Sequence, residues 1–166
     1  MKKEITEGEA LHRYAAYCSK AERCIYDVST KLNQTTLDQE AKERIIARLL
    51  KEKFIDEDRF CRCFVNDKNV FNKWGKTKIR MELKRRHISS DLIERHISQI
   101  NTEPYTDELS RMLQKKKEKT TAKNQYDLQN KLIRYGLSRG YEISQVIQCL
   151  KQLDHESNLD IEEYME

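Results

Sequence analysis

Apolar residues recur along this chain with the spacing of amphipathic helices. Leu11, Tyr14, Ala15 and Cys18 stand at positions i, i+3, i+4 and i+7, which places them on one face of an α-helix. Eight later groups repeat this kind of spacing and predict eight further helices. Their apolar positions are, in chain order, Ala21, Ile25, Val28 and Leu32; Ala41, Ile45, Ile46, Leu49 and Leu50; Phe60, Phe64 and Phe71; Ile79 and Leu83; Leu92, Ile93, Ile97 and Ile100; Leu109, Met112 and Leu113; Leu128, Leu132 and Tyr135; and Ile143, Val146, Ile147 and Leu150. Because the chain has one proline and four glycines, strand and turn signals are few, and the pattern predicts an all-α fold.

Residues suited to capping stand where several of these helices should begin. Ser19 and Glu22 are spaced as a capping box for the second helix, and Thr36 and Asp38 are candidate N-caps for the third. Three consecutive acids at 56–58 precede the fourth helix. We interpret them as an N-cap with charges that complement the helix dipole, in preference to metal ligands. Arg59, which follows them, is expected to pair with an acid of the neighbouring repeat.

The nine helices fall into three groups of three. Leu32, Leu83 and Leu137 each stand near the end of a middle helix and are separated by 51 and 54 residues, a period typical of helical repeats. Units of this size bury a small core alone and gain by stacking, so we expect an elongated, curved array. The predicted divisions are three tandem three-helix repeats over residues 8–53, 54–101 and 104–153, and an acidic tail over residues 154–166.

The charges of the chain are distributed unevenly. The net charge is only +4, but residues 73–86 hold seven Lys or Arg with one acid, and residues 111–123 hold six with one acid. Residues 152–166 hold six acids and no Lys or Arg. A solvated basic face usually carries acidic partners one helical turn away, so the first block indicates an anionic partner. For the second block, contact with a partner and plain solvation are equally good interpretations. The cations that we predict as contacts to protein or DNA are Lys73, Lys76, Lys78, Arg80, Lys84, Arg85, Arg86, Lys115, Lys116 and Lys119.

The segment Gly75-Lys76-Thr77 has the ending of a phosphate-binding loop. Such a loop needs a second glycine five positions earlier, where the backbone helps to cradle the phosphates, and position 70 is a valine. The sequence therefore predicts no nucleotide site. Trp74, directly before this segment, has two interpretations. It anchors the start of the basic helix in the core, or it stacks on a nucleic-acid base.

Residue types that carry catalysis or bind metals are present without a functional spacing. The five cysteines include no C-x-x-C pair and the four histidines no H-x-x-x-H pair. We interpret the cysteines as small buried apolar residues and His96 as a core histidine, and we expect no catalytic residue, metal or cofactor. The chain opens without the apolar segment of a signal peptide and has no apolar run long enough to span a bilayer. We therefore expect a cytoplasmic protein with reduced thiols and no membrane contact.

Three ordered blocks of sequence carry a family pattern. Residues 54–61 (F-I-D-E-D-R-F-C) combine an apolar pair, acids, an arginine and an aromatic residue. Residues 75–88 contain G-x-x-x-I-x-x-E-L followed by a basic turn, and residues 137–141 read L-S-R-G-Y. In these blocks the chain resembles the RecX family, the regulatory proteins of bacterial RecA recombinase. His87 stands where that family has glycine, so we expect a less tightly turned helix end at this position.

The resemblance implies a fold of three tandem three-helix repeats and a regulatory role without enzymatic chemistry. Members of the family bind the RecA–DNA nucleoprotein filament, lie in its helical groove and restrain recombinase, ATPase and coprotease activity in DNA repair and the SOS response. On this basis we expect the partners to be the RecA filament and, weakly and without sequence preference, single- or double-stranded DNA. We also expect a monomer.

Two other classes of protein fit parts of the pattern. Residues 25–32 with 41–50, or 77–86 with 91–100, could form helix-turn-helix pairs of a DNA-binding transcription regulator. Against this alternative, residues 92–97 (L-I-E-R-H-I) offer few side chains that read bases, and the positive charge lies on the preceding helix. An inert helical scaffold is the third possibility, and it would neither regulate a recombinase nor prefer a DNA sequence.

Overall fold

Within the part of the chain that the structure describes, nine α-helices account for most of the residues, so the all-α prediction is confirmed. A computed structural model describes the backbone of residues 1–163 and the side chains of residues 1–155. Within residues 1–163 there is no β-strand, and a single isolated bridge joins Lys3 and Thr35. The helices are α1 (Glu7–Lys20), α2 (Ile25–Leu32), α3 (Gln39–Lys51), α4 (Glu57–Val70), α5 (Lys76–Arg85), α6 (Ser90–Ile97), α7 (Thr102–Lys119), α8 (Gln125–Ser138) and α9 (Ile143–Glu163).

The chain divides into two compact units, and each unit is built from two separate stretches. The first unit comprises Met1–Val65 and Glu82–His96. The second comprises Asn66–Met81 and Ile97–Glu166. The chain therefore passes from one unit to the other three times, within α4, within α5 and at the end of α6. The three predicted repeat boundaries follow the order of the helices and stay a prediction.

The first unit is organised around the packing of α1 and α2 on α3. Apolar residues at helical spacing on these three helices point into one core, as their periodicity predicts. The buried members are Ala10, Tyr14, Cys18, Val28, Leu32, Ile45, Leu49 and Ile55. The described part of the chain contains no helix that is long and apolar enough to cross a bilayer.

The second unit contains a core formed by α7, α8 and α9, which all pack against one another. The rings of Tyr105 and Tyr141 lie 4.8 Å apart between centroids, within the range of favourable aromatic pairs. On α9 the structure buries Val146, Cys149 and Leu150, whereas Ile143 and Ile147, predicted on the apolar face, are exposed. The buried members of this core are Tyr105, Leu109, Met112, Leu113, Leu132, Tyr141, Val146, Cys149 and Leu150.

Helix starts agree with the capping predictions at some positions and differ at others. The Asp38 carboxylate accepts a hydrogen bond from the Ala41 N–H at 2.8 Å, so this cap is confirmed. The capping box predicted from Ser19 and Glu22 is wrong. Ser19 lies in the last turn of α1, where its hydroxyl donates to the carbonyl of Ala15. The second helix begins only at Ile25, because the chain must first leave α1 through an extended segment.

The turns after α5 and α8 have the same geometry. His87 (φ 58°) and Gly140 (φ 90°) both take the left-handed backbone conformation. In the turn after α5 the Ile88 N–H donates to the carbonyl of Leu83 at 3.1 Å. In the turn after α8 the Tyr141 N–H donates to the carbonyl of Gly136, also at 3.1 Å. This is the tight C-terminal turn in which glycine is favoured. The less tightly turned end predicted at His87 is therefore wrong, because the histidine adopts the glycine conformation.

The shared turn geometry also corrects the alignment of the repeats. Leu83 and Gly136 occupy the same place relative to their turns. Leu137, which the sequence period equated with Leu83, is one position further on and is 43% exposed, whereas Leu32 and Leu83 are fully buried. A helix advances 100° per residue, so an error of one position moves a side chain from the core to the surface.

The cysteines are predominantly buried, as predicted, and this has a chemical consequence. Burial raises the pKa of the Cys24 and Cys61 thiols to about 11, and it also raises the pKa of Cys18. Cys149 is buried as well, whereas Cys63 is partly exposed. Because the thiolate is the reactive form, we expect one thiol per native chain to react rapidly with a disulfide reagent at pH 8, and all five after denaturation. Rapid reaction of two or more thiols in the native protein would contradict this expectation.

Candidate partner-binding surface

The start of α5 is closed to phosphate by the protein itself. The Gly75 N–H donates to the carbonyl of Arg139 at 2.8 Å, and the Thr77 N–H donates to the carbonyl of Gly140 at 2.9 Å. Between them, the Lys76 N–H donates to the Tyr105 hydroxyl at 2.9 Å. A phosphate-binding loop needs these N–H groups to point at the ligand. The structure therefore agrees with the prediction that this segment is not a nucleotide site.

The basic residues at the start of α5 lie against aromatic rings. The Lys76 ammonium lies 5.1 Å from the centre of the Tyr105 ring, and that of Lys78 lies 4.5 Å from the centre of the Trp74 ring. Lys68, on α4, approaches the same indole at 4.8 Å. Such cation–π contacts hold the lysine side chains against the aromatic rings. Trp74 is partly buried. One part of its side chain packs against the protein, and its ring also contacts the two lysines.

The cations at the end of α5 are divided between surface and interior. Lys84 and Arg85 are exposed, and Arg85 pairs with Glu82 at 2.7 Å. Arg86 instead pairs with Asp27 of α2, contacts Glu82 at 3.4 Å and lies over the ring of Phe64. Its charge is therefore neutralised within the first unit. No acid among the described side chains pairs with Lys84.

Two further predicted contacts on this segment have intramolecular neighbours. Lys73 takes a left-handed conformation (φ 57°) and pairs with Glu108 of α7 at 3.5 Å. Arg80 is partly buried. For these two side chains, an external contact has to compete with interactions inside the protein.

The second basic block lies at the end of α7. The Lys116 ammonium lies 5.2 Å from the centre of the Tyr135 ring, and Lys117 pairs with Asp154 of α9 at 3.5 Å. Lys115 and Lys119 are exposed, and neither pairs with an acid among the side chains up to residue 155. The predicted acidic tail begins within α9 at Asp154. Its side chains from residue 156 onward, and all of residues 164–166, lie outside the described residues.

The three acids at 56–58 each have a structural partner. The Asp56 carboxylate accepts from the Arg59 N–H at 3.0 Å, which makes it the N-cap of α4. The Glu57 carboxylate accepts from the Ile25 N–H at the start of α2, and burial raises its pKa. Arg59 pairs with Glu22 at 2.6 Å, so the pairing predicted for it is present. No group of three metal-binding side chains occurs among the described residues.

Asp58, the third acid, holds the buried histidine of α6. Its carboxylate lies 2.8 Å from Nε2 of His96 and 3.2 Å from Arg95. The hydrogen bond from His96 is the main reason why the pKa of Asp58 lies below its usual value. The Nδ1 atom of His96 is buried without a hydrogen-bond partner. This histidine therefore serves the core, as predicted, and is satisfied on one side only.

Phe71 is another surface residue that the sequence pattern assigned to the core. The periodicity places it on the apolar face of the fourth helix with Phe60 and Phe64. In the structure α4 ends at Val70, the core positions of the helix are Phe60, Cys61 and Val65, and Phe71 is 75% exposed. An aromatic residue at an element boundary has no helical face to share, and a spacing argument extended past the helix end cannot detect this.

Comparison with known proteins gives one family and several relatives. Residues 56–97 match the family model described as RecX, second three-helix domain. The regulatory protein RecX of Clostridium acetobutylicum is 29% identical over 90% of this chain and 71% of its own length. That of Lactobacillus johnsonii is 24% identical over 96% and 59%, and that of Clostridium tetani is 31% identical over 89% and 66%. The chain thus spans 59–71% of the length of these curated relatives.

Solved structures share the fold. A crystal structure described as that of regulatory protein RecX superposes with a TM-score of 0.79 at 19% identity, covering 87% of this chain and 71% of the other. The crystal structure of RecX from Lactobacillus salivarius superposes with a TM-score of 0.77 at 16% identity, covering 89% of this chain and 96% of the other. At these identities the superpositions establish the helical repeat fold alone.

Proposed function

Because the chain belongs to the RecX family of regulatory proteins, we propose that it binds the RecA–DNA nucleoprotein filament and modulates it, mainly by inhibition. The regulated activities are those of RecA: strand exchange, the ATP hydrolysis that accompanies it, and the coprotease function in the SOS response. The protein acts in the cytoplasm as a binding partner and uses no catalytic residue of its own. Its partners are the filament and, more weakly, DNA of any sequence.

The observation that supports this proposal most directly is the set of cations without acidic partners. Lys84 on α5 and Lys115 and Lys119 on α7 are exposed, and none pairs with an acid among residues 1–155. Positive charge that the fold does not neutralise is available to an anionic surface. In the proposed mechanism these residues meet the DNA or acidic recombinase surface in the filament groove, and occupation of the groove obstructs filament growth. Binding should weaken as salt rises, since the counterions that DNA releases gain less entropy when they enter a more concentrated solution.

The side chains of α6 argue against the transcription-regulator alternative. In the helix-turn-helix pair of residues 77–86 and 91–100, α6 would be the recognition helix. The Ile93, His96 and Ile97 side chains of this helix are buried, and Arg95 pairs with Asp58 at 3.2 Å. Few polar groups are left to read base edges, whereas recognition helices present three or four. A marked preference for one duplex sequence in direct binding would support this alternative against the proposal.

The proposal predicts that this protein inhibits ATP hydrolysis by its cognate RecA on single-stranded DNA at fewer than one molecule per recombinase. Lys84→Glu should raise the half-inhibitory concentration severalfold, because it reverses a charge that has no internal partner. The measurement is a titration at moderate salt, repeated at two higher salt concentrations.

Arg62→Glu is the matched control for this prediction. Arg62 is an exposed cation on α4 that is outside the proposed contact set, so its reversal should change inhibition little. Equal loss in both variants would indicate a general charge effect and would count against the assigned residues. Hydrolysis unaffected by the wild-type protein would contradict the proposed function itself.

A further inference from the structure

A groove lies between α2 and α3 of the first unit. Its volume is about 380 Å³, and its apolar lining consists of Ile25, Leu32, Ile46, Ala47 and Leu50. Leu32 is fully buried, whereas Ile25, Ile46 and Leu50 pack on the core of the unit and keep part of their surface uncovered. Ala47 is exposed, and its short side chain leaves the groove open. Adjoining apolar side chains that face water indicate a binding site more strongly than scattered ones do.

The groove is polar at the end where the chain turns from α2 into α3. Asn33, Gln39, Lys42 and Glu43 line this end. The Lys42 ammonium donates to the side-chain carbonyl of Asn33 at 3.3 Å, and the Glu43 carboxylate accepts from the side-chain amide of Gln39 at 3.1 Å. Among the side chains that the structure describes, no acid pairs with Lys42. Its positive charge is therefore available to an acid from outside the protein.

The shape and polarity of the groove select the kind of occupant. A small-molecule site encloses about 70–90% of its ligand, which a groove open to solvent between two helices does not. The apolar face of an amphipathic helix is a common occupant of such grooves, whereas a nucleic acid would gain nothing from the apolar lining. A second copy of this chain offers the exposed pair Ile143 and Ile147 of α9, but the residue one turn further on is Lys151. It would present a cation, and not an acid, to Lys42.

We infer that the groove between α2 and α3 binds an amphipathic helix of the recombinase, with two apolar side chains one turn apart over Ile46 and Leu50 and an acid beside Lys42. Side chains at positions i and i+4 of a helix lie on one stripe, as this arrangement requires. The inference rests on the proposed function, since it names a protein contact of a filament-binding protein that does not use the basic residues of α5 and α7. Because apolar burial releases no counterions, this contact should persist at salt concentrations that weaken binding to DNA.

The test measures binding of the full chain to two probes. One probe is the RecA filament assembled on single-stranded DNA with a non-hydrolysable ATP analogue, and the other is the same DNA without recombinase. Ala47→Arg places a long charged side chain in the groove, at an exposed helical position where arginine is a good helix former. This variant should bind the filament about tenfold more weakly or worse, the equivalent of one buried aliphatic side chain. Its binding to free DNA should equal that of the control variant.

Ala16→Arg is the matched control, because Ala16 is an exposed alanine of α1 that does not line the groove. It receives the same added charge and should bind the filament as tightly as the wild type does. Lys42→Gln should weaken filament binding about two- to fivefold, the range of an exposed ion pair, and Lys42→Arg should retain it. Since Lys42→Gln leaves the apolar lining intact, it tests the same contact even where Ala47→Arg lowers the stability of the fold.

The outcomes separate this inference from the proposed function. Filament binding that is strong in the wild type and unchanged in Ala47→Arg and Lys42→Gln would overturn the inference and leave the proposed function standing. A wild-type protein that does not bind the filament would overturn both. A loss of DNA binding in Ala47→Arg that Ala16→Arg does not share would assign the groove to nucleic acid. A wild-type dimer in sedimentation that Ala47→Arg dissociates would assign it to a second copy, and either result would overturn the inference.

Discussion

Replacing Gly140 by alanine is expected to destabilise the second unit strongly, because it combines backbone strain with steric overlap. Gly140 stands at φ 90°, a conformation that costs an L-residue about 1–2 kcal/mol. A Cβ atom there would lie 2.2 Å from the Cβ of Lys78 and 2.7 Å from its backbone nitrogen. Relieving such overlap costs about 1–3 kcal/mol more, so we expect a total loss of about 2–5 kcal/mol.

The same contact can be tested from its other side. A Cβ atom on Gly75 would lie 2.2 Å from the carbonyl carbon and oxygen of Gly140, so Gly75→Ala isolates the steric part of the effect. Both variants also disturb the hydrogen bonds from Gly75 and Thr77 that fix the start of α5 to the turn after α8. Thermal unfolding followed by circular dichroism should show midpoints lowered by about 4–20 °C in Gly140→Ala and by about 2–12 °C in Gly75→Ala, since each kcal/mol shifts the midpoint of a chain of this length by about 2–4 °C.

Gly8→Ala is the matched control for both substitutions. Gly8 lies in α1, and nothing is within 4 Å of the position its Cβ would take. Alanine is the better helix former by about 1 kcal/mol, so this variant should be more stable than the wild type. A Gly140→Ala protein as stable as the wild type would show that the start of α5 and the turn after α8 do not approach as closely as described.

Loss of the Arg86 side chain is expected to have the second-largest effect on the free energy of unfolding. The effect is on the stability of the protein and not primarily on partner binding. Its side chain is 24% exposed and that of its partner Asp27 is 13% exposed. Removing one member of a largely buried pair leaves the other charge desolvated and uncompensated. We expect Arg86→Ala to cost about 2–3 kcal/mol, somewhat less than a fully buried pair would lose, because Glu82 and partial solvation remain.

The measurement is urea unfolding of Arg86→Ala beside Arg85→Ala. Arg85 is the neighbouring cation and pairs with the same Glu82, but its side chain is 68% exposed, and exposed pairs contribute little. Its loss should leave the unfolding midpoint nearly unchanged. The double variant Asp27→Ala with Arg86→Ala should lose less than the sum of the two single variants, since it leaves no orphan charge. Equal midpoints for the Arg85 and Arg86 variants would contradict the structural role of Arg86.

Much of the fold could be predicted from periodicity alone. Residues that are buried on one helix face recur every three or four positions, and this pattern locates Val28, Leu49, Ile79, Leu83 and Leu113 in the core, where the structure has them. Asp38 could be identified as a cap because its hydrogen bond is made within its own helix turn. Such local interactions leave a signal in a short window of sequence.

The misassignments arise where distant parts of the chain decide the outcome. Arg86 reads as one cation in a basic run, and only the fold brings it to Asp27, 59 positions away. Phe71 and Leu137 fit an apolar spacing, but helix ends and a one-residue shift in alignment put them on the surface. The Ser19 capping box fails because α1 continues through Lys20. A spacing rule contains no information about where a helix stops.

The interleaving of the two compact units limits how this protein can be divided. Neither unit is a single stretch of chain, because residues 66–81 belong to the second unit and residues 82–96 return to the first. A fragment of residues 54–101, which includes the family-matched segment, would carry pieces of both units and complete neither. A single proteolytic cut can release at most one complete unit, and that unit would still carry a segment of the other. Shuffling of such repeats between genes would preserve a working core only if adjoining helices travelled together.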